Sequence, residues 1–249
     1  MRIAVAGGTG TVGRHVVAIA MERAHHVVSL SRAEGVDLVS GRGLDQALQN
    51  VETVIDVSGI QTLSTNKAVR YFTNATPNLL AAGKQNGVKH HVALSIVGLD
   101  HANSGLYAGK LAQEDEVKHG GLPWTILRST QFHEFIPMSV KTASVGPLVF
   151  VPQMRTQPVA ANEVAAALVD AAEAGPKGRI PDLSGPQAEH LKDLVAAYLA
   201  KTQLKKQIVQ LRLPGPMGKA MRNGDLIPAP GSAVGRQTFR KWLETVPAA

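Results

Sequence analysis

The sequence lacks cysteine: none occurs among its 249 residues. This absence excludes disulfide bonds, thiolate catalysis and cysteine-ligated metal sites. Long apolar runs are also missing, and no segment reaches the roughly eighteen residues that a membrane-spanning helix needs. The chain starts with an apolar strand pattern and shows no signal-peptide pattern. We therefore expect a cytoplasmic protein without a membrane span.

The sequence has fewer acidic than basic residues, with 19 Asp and Glu and 26 Lys and Arg, and its formal net charge is +7. Such a balance can indicate nucleic-acid binding. Here the basic residues are scattered, and the densest groups lie at 201–206 and 236–241. We interpret both groups as solvated helix faces that add some attraction for an anionic cofactor, and we do not expect nucleic-acid binding.

Residues 1–14, MRIAVAGGTGTVGR, combine an apolar strand, a glycine-rich turn and the start of a helix at 14–24. This order predicts a dinucleotide site. Gly7 permits the tight turn, Gly10 lets the backbone approach a bound pyrophosphate, and Gly13 allows close packing of helix on strand. Free N–H groups at the helix start favour the pyrophosphate. The predicted cofactor contacts here are Gly7, Thr9, Gly10, Thr11, Val12 and Gly13.

The predicted second strand at 26–31 ends at Ser31 and Arg32. In a site that prefers NAD, an acidic residue near this point bonds the adenosine ribose hydroxyls. A serine and an arginine suit a 2′-phosphate instead. We therefore expect binding of NADP(H) in preference to NAD(H).

Strand and helix patterns keep alternating along the chain. Strands are predicted at 36–39 (weakly), 53–57, 90–97 and 124–128, and helices at 43–50, 65–86 and 106–119. This rhythm predicts an α/β fold of the Rossmann type with a doubly wound parallel sheet. Val57 and Ser58 lie where a loop at the carboxyl end of the sheet would cover the cofactor's ribose.

The C-terminal part reads differently. It has a short apolar run at 148–151 and helices at 163–173, 189–201 and 238–246, the first capped by Asn162. The Pro/Gly-rich stretch 213–231 reads as an irregular loop that forms a mobile cover. We expect a single domain over 1–249, with an NADP-binding core at 1–130 and further core elements plus a small substrate lobe at 131–249.

The chain resembles the atypical short-chain dehydrogenase/reductase superfamily in its NmrA-like, NAD(P)H-binding branch. The segments that carry the resemblance span nearly the whole chain: GGTGTVG at 7–13, SR at 31–32, ALSIVG at 93–98, YAGKLAQE at 107–114, PWTILRSTQFHEF at 123–135 and QPVAANEVA at 157–165.

The resemblance implies particular site residues. Ser95 would orient a carbonyl, and Lys110 would bond the nicotinamide ribose and lower the pKa of a nearby acid. Thr130, Gln131 and Phe132 would lie beside the nicotinamide.

One position departs from the family's Tyr-x-x-x-Lys pattern. Leu106 stands four residues before Lys110, and Tyr107 only three before it. Residues three apart on a helix are still neighbours, so Tyr107 remains a candidate acid, in a different pose. His133 is an alternative proton donor, because histidine titrates near neutrality. The other reading of His133 is a satisfied hydrogen-bonding residue, and a metal site is not expected.

Three functions remain open. The first is an NADP(H)-dependent reductase that transfers hydride to a small carbonyl or quinone-like acceptor, in a pocket under residues 132–155 and the 213–231 loop. The second is a non-catalytic NADP(H) sensor that binds a protein partner, which Leu106 favours. The third is a nucleotide-sugar-epimerase-like enzyme, which needs a working acid/base group at the tyrosine position.

Overall fold

A computed structural model describes residues 1–247 of the chain. Strands and helices alternate through its first half, as the sequence pattern predicts. The helices are α1 (Gly13–Glu22), α2 (Leu44–Ala47), α3 (Thr65–Gln85), α4 (Leu106–His119), α5 (Phe135–Thr142), α6 (Ala161–Ala174), α7 (Leu191–Lys201), α8 (Gly215–Asn223) and α9 (Phe239–Glu244).

The strands of the first half are longer than most of those that follow. The strands along the chain are β1 (Arg2–Ala6), β2 (His26–Leu30), β3 (Thr53–Asp56), β4 (His90–Ile96), β5 (Trp124–Ser129), β6 (Ser144–Val145), β7 (Leu148–Pro152), β8 (Arg155–Thr156), β9 (Gly178–Arg179), β10 (Leu183–Ser184), β11 (Glu189–His190), β12 (Gln207–Leu211) and β13 (Ala233–Val234).

The chain divides into two compact units that interleave in sequence. The first comprises residues 1–96, 104–128 and 162–180, and the described part of the second comprises 97–103, 129–161 and 181–247. In the first unit the strands follow the order β5-β4-β3-β1-β2, and β1 pairs in parallel with both β2 and β3. The fold is α/β and Rossmann-like, as the sequence predicts.

Helices cover the sheet of the first unit because its strands are almost wholly apolar. Ile3, Ala4 and Val5 of β1 have no exposed surface. Helix α3 packs closely on α4, where a Cβ on Gly109 would lie 2.8 Å from the Phe72 ring. Glycine therefore sets the distance between these two helices.

The second unit contains short sheets. Strands β12, β7 and β6 form one of three strands, and β11 pairs antiparallel with β8. Strand β10 pairs in parallel with β13, and Leu183 of β10 pairs with Ser129.

Two sequence predictions about single elements are wrong. Residues 36–39 form no strand, because Asn78 Nδ2 donates to the carbonyl oxygens of Leu38 and Val39, at 3.1 and 2.9 Å, in place of a neighbouring strand. The stretch 213–231 contains helix α8, in which proline lies in the first turn, where the missing N–H costs nothing.

Several boundaries also shift slightly. Helix α6 begins at Ala161, so Asn162 lies inside its first turn, where its Oδ1 accepts from the Glu163 N–H at 2.9 Å. Among the described residues, no helix is long and apolar enough to cross a membrane.

Candidate functional site

The glycine turn is built so tightly that side chains would collide in it. Gly7 has a φ of +81°, and a Cβ there would lie 2.9 Å from Cα of Ser58. A Cβ on Gly13 would lie 2.0 Å from the carbonyl oxygen of Gly7, and one on Gly8 would lie 2.6 Å from Oγ of Ser29. Helix α1 therefore starts directly against the turn, which only glycine permits.

The start of α1 presents backbone donors. Within residues 1–247, the N–H groups of Thr11, Val12 and Gly13 find no hydrogen-bond acceptor, whereas the Gly10 N–H donates to Gly7 O at 2.9 Å. No side chain caps the helix and no acidic residue occupies its first turn. Unpaired N–H groups and the positive end of the helix dipole favour an anion, so this turn fits a pyrophosphate.

The ends of three strands meet at this edge of the sheet. Ala6 pairs with Leu30 of β2 and with Asp56 of β3. Gly8, Arg32 and Ser58 each follow two residues later, on neighbouring parallel strands. Arg32 is exposed and begins a single 3₁₀ turn. The register thus brings the glycine turn and the residues predicted to contact the ribose and its phosphate to the same edge of the sheet, at the carboxyl ends of its strands.

Polar groups line this edge beside Arg32. The Ser31 Oγ is buried and has no hydrogen-bond partner in the described part of the chain. The Val57 N–H donates to Ala6 O at 3.0 Å. The Ser58 N–H donates to Asp56 Oδ1 at 2.9 Å, which fixes the loop as it leaves β3.

Lys110 lies in α4 with all three of its N–H groups engaged. Nζ donates to the backbone oxygens of Ser58 (3.1 Å) and Leu94 (2.8 Å) and to Oε1 of Gln113 (2.8 Å). The ammonium also lies 4.8 Å from the centre of the Phe72 ring. Lys110 thereby ties the loop after β3 to β4.

Burial controls the charge of this lysine. Desolvation lowers the pKa of Lys110 to about 8, against the opposing influence of the Asp56 and Glu114 carboxylates. The link to Asp56 runs through Gln113, whose Nε2 donates to Asp56 Oδ2 at 2.8 Å. No sequence motif marks Gln113 as a site residue, and its position one helical turn after Lys110 is the signal that indicates it.

Ser95 lies near a buried ion pair. Glu114 accepts from Arg128 through two bonds, Nε to Oε1 at 2.6 Å and a terminal nitrogen to Oε2 at 2.8 Å. Ser95 Oγ is buried outside hydrogen-bond geometry, yet near enough to help lower the pKa of Glu114. That pKa is depressed because Arg128, Ser95 and Lys118 outweigh the cost of burial. Sequence reasoning missed this pair, because its partners lie on different elements.

The two residues before Lys110 that bear on proton donation are Leu106 and Tyr107. Both lie half-buried in the first turn of α4. The hydroxyl of Tyr107 is the one phenol in that turn, and position 106, four before Lys110, carries no titratable group.

The remaining predicted residues belong to the second unit. Thr130 Oγ1 donates to Gln157 O, and Gln131 Oε1 accepts from Thr156 Oγ1, both at 2.6 Å. Phe132 forms a parallel bridge with Val159. These contacts hold the segment after β5 in an ordered turn.

His133 follows that turn and has no exposed surface. Its Nε2 lies 3.1 Å from Gln237 O, and its ring centre lies 5.6 Å from that of Phe239 and 5.7 Å from that of Trp242. One ring nitrogen of His133 therefore has a backbone partner, and the ring packs beside two aromatic side chains. Over residues 1–247, no group of three or more potential ligand side chains could hold a metal ion.

Comparison with known proteins gives the class of protein. A family described as NAD(P)H-binding matches residues 7–174, which is more than half of the chain. The protein belongs to this family, within the atypical short-chain dehydrogenase/reductases, so the resemblance found in the sequence is confirmed.

One curated relative is similar to part of the chain. It is 30% identical over 147 residues to the photosystem II assembly factor Ycf39 of Synechocystis sp.; the match covers 53% of this chain and 45% of that protein. This chain therefore spans about half the length of that relative.

Two solved structures share the fold. MoeE5 in complex with UDP-glucuronic acid and NAD has a TM-score of 0.76 at 18% identity, covering 98% of this chain and 97% of that one. The NADPH-dependent quinone oxidoreductase QOR2 of Escherichia coli, complexed with NADPH, has a TM-score of 0.69 at 19% identity, covering 97% and 98%. At these identities the likeness shows the fold alone.

Proposed function

We propose that the protein binds NADP(H) in preference to NAD(H) and transfers hydride to a small carbonyl or quinone-like acceptor. The observation that carries the cofactor preference is the exposed Arg32 at the end of β2, on the same edge as the glycine turn. A cation there pairs with a 2′-phosphate, whereas an NAD site places a carboxylate at this point.

The acceptor class follows from the proton donors that α4 and the end of β4 offer to a bound substrate. Leu106 has no proton to give, Ser95 Oγ is buried, and all three N–H groups of Lys110 are engaged. Reduction of a simple carbonyl needs a proton donor at the oxygen. A quinone gains aromaticity when it accepts the hydride and takes its proton from water, so it depends least on a positioned acid. We therefore favour a quinone-like acceptor.

A spectrophotometric assay tests this proposal. Oxidation of NADPH is followed with a panel of benzoquinones and naphthoquinones and, in parallel, with small aldehydes and ketones. We expect turnover with quinones, and the same rate in Tyr107→Phe and Ser95→Ala. Turnover with the aldehydes and ketones that falls tenfold or more in Tyr107→Phe would instead indicate that the phenol supplies a proton and that the acceptor is a carbonyl.

A non-catalytic NADP(H) sensor is the second candidate, and it also rests on Leu106 and the engaged Lys110. The same assay separates the two functions. Tight NADPH binding without turnover across both panels, together with a protein that co-purifies, supports the sensor. An epimerase-like activity is disfavoured, because it requires an acid/base group at position 106.

A further inference from the structure

Four buried residues of the first unit form a closed ring of hydrogen bonds, which we call the Ser58 ring: Asp56, Ser58, Lys110 and Gln113. Gln113 Oε1 accepts from Lys110 Nζ, and Gln113 Nε2 donates to Asp56 Oδ2, both at 2.8 Å. Asp56 Oδ1 accepts from the Ser58 N–H at 2.9 Å, and Ser58 O accepts from Lys110 Nζ at 3.1 Å. Gln113 and Asp56 are each 1% exposed. Because the ring is shielded from water, a bond that is lost leaves a buried polar group unsatisfied.

Gln113 is the neutral side chain between the cation and the anion of this ring. An ammonium only donates hydrogen bonds and an ionised carboxylate only accepts them, whereas an amide does both. The amide therefore fits with its oxygen towards Lys110 and its nitrogen towards Asp56. A carboxylate at position 113 would turn an acceptor towards an acceptor. The residue type at this position thus decides whether the ring closes.

The ring holds the backbone of Ser58 against the glycine turn. The N–H and the C=O of Ser58 belong to the two peptide planes on either side of it, and both are bonded within the ring. A Cβ on Gly7 would lie 2.9 Å from Cα and 3.0 Å from N of Ser58, so the two backbones are in close contact. Gly7 O in turn accepts from the Gly10 N–H at 2.9 Å. A shift of Ser58 therefore removes the support of the turn.

We propose that Gln113 is a positioning residue of the cofactor site: it bridges Lys110 to Asp56 and so holds Ser58 against Gly7, in the arrangement that binds the pyrophosphate. This inference rests on the proposed function, because it takes the glycine turn as the pyrophosphate site. The pyrophosphate is common to NADPH and NADH. Opening the ring therefore weakens the binding of both cofactors alike, whereas the contact of Arg32 separates them.

The test exchanges donors and acceptors within the ring. Gln113→Glu turns a carboxylate oxygen towards Asp56. Asp56→Asn turns an N–H towards Gln113 Nε2 when its oxygen keeps the Ser58 contact. Each single substitution therefore opens the ring. The double substitution restores it, because the new amide donates to the new carboxylate, which still accepts from Lys110. The double variant also keeps the net charge of the wild type.

Cofactor affinity is measured without requiring turnover. NADPH and NADH are titrated separately, by the change in their fluorescence on binding, into the wild type, the two single variants and the double variant. Gln85→Glu, at the exposed end of α3, is the matched control for the added charge. Circular dichroism and thermal unfolding of each variant report on the fold separately from binding.

We expect each single substitution to raise the dissociation constants for NADPH and NADH at least tenfold and to the same extent, as the loss of a hydrogen bond to a charged group predicts. The double variant should return both constants to within about threefold of the wild-type values, since residues in direct contact are energetically coupled. Gln85→Glu should change neither constant.

Wild-type affinity in the folded single variants would overturn the inference, because the ring would then contribute to stability alone. A double variant that binds no better than the single variants, or that does not fold, would also overturn it, and the double variant decides where a single variant does not fold. A different result contradicts the proposed cofactor preference: a wild type that binds NADPH and NADH equally, with both affinities still falling when the ring is opened. A wild type that binds neither cofactor would contradict both.

Discussion

Lys110 Nζ lies 2.8 Å from the backbone oxygen of Leu94, and the same ammonium reaches Ser58 O at 3.1 Å. One side chain of α4 therefore joins β4 to the loop after β3. A contact from Lys110 to the nicotinamide ribose, which the family resemblance implies, would require one of its three protein acceptors to be released. We infer that its first contribution is to hold these two segments together.

Replacing Lys110 by methionine tests this contribution. The variant keeps the length of the side chain but leaves three buried acceptors without a donor. We expect the free energy of unfolding to fall by about 3 kcal/mol, since each buried unsatisfied acceptor costs about 1–3 kcal/mol and the removed ammonium relieves some desolvation. Urea denaturation measures the change. Lys118→Met is the control, because this partly exposed residue pairs with Glu114 at 3.2 Å and should cost less than about 1 kcal/mol.

The pKa of Lys110 predicts how stability depends on pH. Its folded value of about 8 lies below the ordinary 10.5, so the unfolded chain binds more protons between these limits. Stability therefore rises with pH over this interval. Urea unfolding of the wild type and of Lys110→Met from pH 7 to 10.5 isolates the effect. The wild type should gain stability relative to the variant as pH rises; a relative loss would mean that the folded protein holds this proton more tightly than the unfolded chain.

The Glu114–Arg128 pair predicts a pH dependence of the same sign, with stability rising with pH, but in the acid range. Glu114→Gln leaves the Arg128 guanidinium buried without its charge partner, so we expect a loss of about 3–5 kcal/mol in urea denaturation. The folded pKa of Glu114 is depressed, so its contribution is present above the ordinary carboxyl pKa and is lost as pH falls through the folded value. Asp115→Asn, at an exposed position of the same helix, should change stability little. Equal effects of the two substitutions would contradict the assignment of a buried ion pair.

Two glycines of the turn should respond differently to alanine. A Cβ on Gly13 meets Gly7 O at 2.0 Å, so Gly13→Ala must displace the turn or helix α1 and should lose both stability and cofactor binding. Gly10 is exposed, and its Cβ would meet only Gly7 O, at 3.2 Å. The free energy of unfolding of Gly10→Ala should therefore stay within about 1 kcal/mol of the wild-type value, whereas its affinity for NADPH should fall at least tenfold. Thermal unfolding and cofactor titration of both variants check this contrast. Unchanged NADPH binding in Gly10→Ala would contradict the claim that the pyrophosphate binds at this turn.

The sequence predicted the order of elements in the first half because its strands and helices have strong patterns. In one of the two elements that it predicted wrongly, a distant group decided the structure. Asn78, on α3, takes up the backbone oxygens of residues 38 and 39 that a strand would have paired. In the 213–231 stretch, Pro216 reads as a helix breaker, yet the first turn of α8 accommodates it.

In the candidate site, too, contacts between residues far apart in the chain could not be predicted from the sequence. The residue type and helical position of Lys110 can be read from a local motif. The engagement of all three of its N–H groups cannot be predicted from the sequence, because two of the acceptors lie 52 and 16 residues away in the chain.

The central claim is that this edge of the sheet holds NADP(H) through Arg32. Isothermal titration calorimetry of NADPH and NADH into the wild type and Arg32→Ala tests it most directly, with Arg212→Ala, an exposed arginine beyond β12, as the control. We predict at least tenfold tighter binding of NADPH than of NADH by the wild type, and loss of that difference in Arg32→Ala only. Equal binding of both cofactors by the wild type, or a preference that survives in Arg32→Ala, would contradict it.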